Sequence, residues 1–294
     1  MRFWKRKSRE DESPDEGEIL DGEEPLDEEG IEELSPEEEA EAAEEAEPEE
    51  PLPELETSWR EIAVLIPCFN TGKAVYDVIT ETSEYAGTIL CVNDGSTDDT
   101  ADWIRRSCAE LIGWPRNRGK GHALTAGFRA MWEKPGWKVL ITMDGDGQHV
   151  PGDIPYLVEA HEQTGADIVI GARDFTLPGI PFLRRLSNRR SSKWIGKKTN
   201  LPLSDFQSGY RLFSRQAVRL LAPRMAGGLF ELETSMLILA DRLGLQITES
   251  PITTIYDRES SRKSSWHAIR DSRRIYRAVK QTVKECEHLL PESE

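Results

Sequence analysis

The stretch ITMDGDGQH, residues 141–149, sets Asp144 and Asp146 one residue apart, with Gln148 and His149 directly after them. If an extended backbone carries through this point, residues i and i+2 project to one side and the two carboxylates face a single bound cation. The same residues also make an ordinary acidic turn, because Asp and Gly are both turn formers. A second stretch, NRGKGHALTAGF, residues 117–128, places glycines and Lys120 at the start of a helix, where backbone N–H groups and a cation meet phosphate. Its plainer reading is a glycine loop. Neither stretch decides the chemistry alone, so the elements that position them matter.

Four short apolar runs read as buried parallel strands: IAVLI at 62–66, TILCV at 88–92, KVLITM at 138–143 and DIVIG at 167–171. Helical patterns lie between them, over Val75–Tyr85, Thr100–Leu111 and His122–Trp132. Alternating strands and helices predict a doubly wound, mostly parallel α/β sheet, and ligands of such sheets sit beyond the carboxyl ends of the strands. Each run ends in residues a ligand needs. Pro67, Cys68, Phe69 and Asn70 follow the first, NDGSTDDT the second, DGDGQH the third, and Ala172, Arg173 and Asp174 the fourth.

The net charge of −17 over 294 residues is not evenly spread. Residues 1–60 hold 25 acids and 6 bases, so the rest of the chain is close to neutral. Residues 1–58 therefore read as a disordered acidic tail, too poor in large apolar groups to offset chain entropy. Residues 59–265 form the main domain, and 266–294 an amphipathic helix with Ile269, Tyr276, Val279, Val283, Cys286 and Leu290 on one stripe. Cys68, Cys91, Cys108 and Cys286 lack metal-ligand spacing and read as free thiols in a reducing compartment. No apolar segment follows the basic start MRFWKRKSRE, and the longest uncharged run, Ile62–Gly72, is 11 residues. That is well short of the ~20 a bilayer span needs. The expectation is a cytoplasmic protein, touching membrane at most peripherally.

Taken in order, VLIPCFN, VNDGSTDDT, NRGKGHALTAGF, TMDGDGQH, GARD, DFQSGYRLF and PITTIYDRESSRKSS resemble family 2 glycosyltransferases of the GT-A fold, in particular the dolichyl- and polyprenyl-phosphate mannose and glucose synthases. The resemblance covers about Ile62 to Ser265. It implies a nucleotide pocket lined by Pro67, Phe69, Asn70 and Asp94, with Lys120 beside the phosphates. It also implies Mg²⁺ or Mn²⁺ held by Asp144, Asp146 and Gln148 against the diphosphate of a UDP- or GDP-linked sugar. His149 is then either an outer ligand or a loop histidine satisfied by backbone. Two departures lie on the nucleotide side. Thr71, Gly72 and Lys73 stand where many relatives carry an acid, and Asn93 replaces the first carboxylate of the usual Asp-Asp-Gly-Ser.

DFQSGYRLF, residues 205–213, resembles the family's acceptor-side segment, which makes Asp205 the candidate base. A hydroxyl acceptor loses a proton as it attacks and needs such a base, whereas a phosphate is already ionised and needs cations. Residues 176–203 contain Arg184, Arg185, Arg189, Arg190, Lys193, Lys197 and Lys198 and no acid, interleaved with Leu183, Leu186, Trp194 and Ile195. That is the pattern of a helix on an anionic membrane surface. Arg173, Arg258 and Lys263 are candidates for donor or acceptor phosphate, with Ser264 a loose match to the family's ending. The expected reaction is metal-dependent, inverting transfer of a hexose from a nucleotide diphosphate sugar to a polyprenyl phosphate at the cytoplasmic membrane face. The alternatives are a saccharide or glycolipid hydroxyl acceptor with Asp205 as base, and a non-catalytic nucleotide-sugar-binding protein. Nucleic acid is not an expected partner, since the basic residues are tied to apolar ones and the tail is acidic.

Overall fold

The computed structural model describes residues 52–176, 182–199, 201–225, 227, 231–253, 276–282 and 284. One sheet contains β1 Ile62–Cys68, β2 Thr88–Asp94, β3 Glu110–Trp114, β4 Val139–Thr142, β5 Ile168–Arg173, β6 Arg211–Ser214 and β7 Ile247–Ile252. Its spatial order is β3-β2-β1-β4-β6-β5-β7. β6 runs antiparallel to β4 and β5, and the other pairs are parallel. The helices are α1 Ala74–Thr82, α2 Thr100–Arg105, α3 Lys120–Glu133, α4 Ile154–Thr164, α5 Phe182–Thr199, α6 Arg215–Leu221 and α7 Glu231–Arg242. A further helix, α8, covers 276–282.

Strand alternation divides the core into two layers, one on each face of the sheet. Ala63, Leu65, Leu90, Val92, Leu140 and Phe213 turn toward α3, α6 and α7. Ile62, Val64, Ile66, Ile89, Cys91 and Ile141 turn toward α1 and α4. Because β1 is buried on both faces, it reads as a continuous apolar run rather than an alternating one. Phe128 of α3 meets Phe213 of β6 edge-on at 4.9 Å, which ties helix to sheet. A Cβ on Gly127 would lie 2.3 Å from Leu65 Cδ1, so this glycine lets α3 approach β1 closely.

One expected helix is shorter than its sequence suggests. The pattern over Thr100–Leu111 predicts a single helix, but α2 stops at Arg105, and Glu110–Trp114 pairs with β2 as an edge strand. Ile104 and Leu111 are seven residues apart, a spacing that two helical turns share with a helix, turn and strand. Both residues are apolar in either case. The expected extended run through Asp144 also ends early, since β4 stops at Thr142 and the carboxylates sit on the following turn. Gly145 packs there against Ile66, where a Cβ would meet Cγ2 at 3.1 Å.

α5 and α8 pack onto the same domain. Ile195 is wholly buried, and Trp194 lies 4.6 Å from Tyr276 of α8 between ring centroids. These two apolar side chains of the basic segment therefore face protein. Val279 of α8 is in the core, and Thr282 Oγ1 and Ser235 Oγ of α7 are 3.1 Å apart. No described helix is long and apolar enough to cross a membrane. Cys68 and Cys91 are free and buried, whereas Cys108 is free and exposed.

Candidate active site

The loops at the carboxyl ends of β1 and β2 are joined by hydrogen bonds. Asn70, with φ of 52°, donates its N–H to Ser96 Oγ at 3.0 Å, and its Oδ1 accepts from Thr97 N–H at 2.8 Å. Asn93, the substituted family position, accepts from Ser96 N–H through Oδ1 at 3.0 Å and so closes the β2 turn. Pro67 pairs opposite Val92 one residue before β1 ends at Cys68, and Phe69 is exposed directly after it. Asp94 is 2% exposed. Its Oδ1 accepts from Trp114 Nε1 and Arg118 N–H, and its Oδ2 from Gly119 N–H, each at 2.7 Å. The carboxylate thus fixes the glycine loop that begins α3.

Gly119 caps α3 with φ of 106°, which delivers Lys120 as the first helical residue. Lys120 Nζ lies 2.6 Å from Asp144 Oδ1 and 3.1 Å from Glu233 Oε1 of α7. Burial alone would lower the ammonium's pKa, but the Asp144 and Glu233 charges outweigh it and hold Lys120 above its ordinary range. Burial likewise opposes the charged form of Asp144, yet Lys120 holds its carboxyl below the usual carboxylate range. The carboxyl of Asp146, which is itself exposed, is pushed up by desolvation from the surrounding chain and by the Asp144 charge. Gln148 contributes its N–H to Asp146 Oδ1 at 3.1 Å.

His149 is buried and stacks on Tyr210, with ring centroids 5.0 Å apart. Asp144 donates its N–H to His149 Nδ1 at 3.0 Å. Desolvation, the largest influence, lowers the imidazole pKa to about 4, so the ring is neutral near pH 7 with its proton on Nε2. Of its two sequence readings, the backbone-satisfied histidine matches this contact, with the ring accepting from an amide rather than bonding a carbonyl.

Arg173 at the end of β5 meets Asp205 in a two-pronged pair. Nε donates to Oδ2 at 2.7 Å and Nη2 to Oδ1 at 3.1 Å. Asp205 is fully buried, and Oδ1 also accepts from Gln207 N–H at 3.1 Å. Its backbone N–H donates to Glu249 Oε1 on β7 at 3.0 Å. The Asp205 charge keeps Arg173 protonated against burial. Arg258, with Lys263 and Ser264, lies outside the described residues.

Two site-forming residues escaped the sequence reading. Arg211, 1% exposed, donates to the carbonyls of Ser208, Phe206 and Glu233 at 2.7, 2.9 and 2.5 Å. It thereby fastens the Asp205 loop to α7. Glu233 reads as one of several acids at a helix start. Its signal was the spacing to Leu237 and Ala240, which puts it on the buried stripe of α7.

Four carboxylates, Asp144, Asp146, Asp205 and Glu233, meet three cations, Lys120, Arg173 and Arg211, so the site keeps an excess of negative charge. A bound cation would offset that excess. Among the described residues no three His, Cys, Asp or Glu side chains converge as a ready cation cage. A pair of carboxylates sharing the ion with a diphosphate is the arrangement hard cations such as Mg²⁺ adopt with few protein ligands. The residues present fit such an ion.

A mixed sheet with its polar loops gathered at the strand carboxyl ends, and a carboxylate pair beside a helix-start lysine, defines the GT-A class of nucleotide-diphosphosugar transferases. The sequence model described as Glycosyl transferase family 2 matches residues 63–221. An uncharacterized protein of Methanocaldococcus jannaschii is 30% identical over 228 residues, covering 76% of this chain and 93% of its own. The undecaprenyl-phosphate mannosyltransferase of Micrococcus luteus is 34% identical over 180 residues, 57% of this chain and 71% of its own. Among solved structures, glucosyl-3-phosphoglycerate synthase of Mycobacterium tuberculosis in complex with phosphoglyceric acid superposes with a TM-score of 0.58. It is 21% identical, with coverage of 80% of this chain and 82% of that one. The chain belongs to the family 2 glycosyltransferases.

Proposed function

We propose that this glycosyltransferase moves a hexose from a UDP- or GDP-linked donor to a polyprenyl phosphate at the cytoplasmic face of a membrane. The observation that carries the acceptor is the closed Arg173–Asp205 pair. Both Asp205 oxygens accept from Arg173, and Oδ1 accepts again from Gln207. A carboxylate so engaged has little capacity to take a proton from a hydroxyl. A phosphate monoester arrives ionised and needs an oriented cation instead, which Arg173 supplies in a geometry suited to phosphate oxygens. The named mannosyltransferase relative uses an undecaprenyl phosphate, by its name, and this supports the same choice.

Asp144 and Asp146 are the residues that would hold Mg²⁺ or Mn²⁺. Bound there, the ion would stabilise charge growing on the leaving diphosphate oxygen. Lys120, at the positive end of α3, adds a second cation on the donor side. Asn70 and Asp94 shape the loops around the nucleoside. Attack from the face opposite the diphosphate would invert the transferred carbon, which gains oxocarbenium character as in glycoside cleavage. Arg189, Arg190, Lys193 and Lys197 are exposed along α5 and form the surface for anionic headgroups.

The test is release of UDP or GDP by the purified chain from a panel of nucleotide sugars, with a polyprenyl phosphate present or omitted and with metal or chelator. The proposal requires release that depends on both metal and lipid phosphate. Release unaffected by the lipid phosphate with every donor would overturn it.

A further inference from the structure

We infer that Glu233 is a positioning residue for Lys120, holding the ammonium in place while Asp144 exchanges it for a divalent cation. The inference rests on the reading of Asp144 as a metal ligand. Lys120 has three N–H donors. Asp144 takes one at 2.6 Å and Glu233 faces a second at 3.1 Å, which leaves the third for another oxygen. When a cation engages Asp144, the Asp144–Lys120 contact weakens, and a lysine with no second anchor would either stay and compete or swing away on its flexible stem. Glu233 removes both outcomes. Its ion pair keeps Nζ beside the cation, with donors free for a diphosphate oxygen.

The surrounding packing holds Glu233 for this role. Arg211 Nη1 donates to the Glu233 carbonyl at 2.5 Å, so the first turn of α7 is fixed to the Asp205 loop. The Glu233 side chain is 9% exposed, too deep for water to replace the lysine readily. Gly209 supplies the space. A Cβ there would lie 2.8 Å from Lys120 Nζ, 3.0 Å from Glu233 Oε1 and 3.2 Å from Asp144 Oδ2, so the three charged groups converge over a bare backbone position. Lys120 and Asp144 are reached through the β4 loop and α3, but Glu233 comes from 89 residues beyond Asp144. The contact therefore couples the acceptor-side segment to the donor-side cation.

The experiment is a double-mutant cycle on the full chain, read by calorimetric UDP binding with and without Mn²⁺ and by Mn²⁺ titration followed by electron paramagnetic resonance. Glu233→Gln in the wild-type background should weaken Mn²⁺-dependent UDP binding about tenfold, the scale of a lost outer-shell partner. In a Lys120→Met background the same substitution should change it less than about twofold, because the two residues act as a unit. Lys120→Gln, a neutral polar side chain, serves as the second background where Lys120→Met folds poorly. Equal losses by Glu233→Gln in the wild-type and Lys120-substituted backgrounds would show Glu233 acting without Lys120 and overturn the inference. Wild-type UDP binding that is indifferent to chelator would remove the metal reading itself, and this inference with it, an outcome distinguishable from the others.

Discussion

Arg173 closes both oxygens of Asp205, at 2.7 and 3.1 Å, inside a loop whose next residues are held by the buried Arg211. On the proposed reading the pair orients a guanidinium rather than storing a free base. Asp205→Asn should therefore raise the KM for the lipid phosphate more than it lowers kcat, and should leave no new acidic limb in the kcat–pH profile. Breaking a pair this buried should also cost about 3 kcal/mol of stability, read by denaturant titration. A collapse of kcat with unchanged acceptor KM would instead mark Asp205 as a base.

Asp144 and Asp146 should behave alike toward metal but not toward the fold. Asp144→Asn removes the ion pair to Lys120 as well as a proposed metal ligand, whereas Asp146 is exposed and its Oδ1 accepts from Gln148 N–H within its own turn. Either change should weaken Mn²⁺-dependent UDP binding at least about tenfold. Only Asp144→Asn should shift the melting temperature measurably.

Gly127 tests the fold that carries the site. Gly127→Ala would set a methyl 2.3 Å from Leu65 Cδ1 and force α3 away from β1. The expected cost is about 1–3 kcal/mol, as for other overpacked cores. Combined with Leu65→Ala, which opens that space, its cost should fall well below the single-variant value, as measured by equilibrium unfolding.

The exposed cations of α5 should act on membrane binding and not on donor chemistry. Changing Arg189, Arg190, Lys193 and Lys197 to Gln should remove about 1 kcal/mol each of affinity for anionic vesicles. Vesicle sedimentation at two salt concentrations reads this directly. UDP binding in the presence of Mn²⁺ should be unaltered.

Much of this arrangement was readable from the chain, for identifiable reasons. The four strands that flank the site are buried on both faces, so their residues form apolar runs that stop where the polar loops begin. Asp144, Asp146 and Arg173 follow those apolar runs closely, and Lys120 starts a helix after a glycine loop, so local order was enough to place them. What escaped is what depends on distant partners. Glu233 lies in an ordinary amphipathic helix, and only the Lys120 contact distinguishes it. Asp205 offers the residue type of a base, and only the Arg173 fork shows its oxygens occupied. β3 was hidden because the spacing of Ile104 and Leu111 satisfies a helix equally well. Trp194 and Ile195 sit among seven basic residues, yet their burial is set by α8 and the core, which the local pattern does not contain.

The measurement that bears most directly on the central claim pairs two acceptors with the same hydrocarbon chain, a polyprenyl phosphate and the corresponding polyprenol. Each is incubated with the chain, Mn²⁺ and the nucleotide sugar that shows turnover, and the lipid product is resolved by mass spectrometry. The account predicts a hexosyl phospholipid from the phosphate and no product from the alcohol. Comparable glycosylation of the polyprenol would contradict it, because only a working base could activate that hydroxyl.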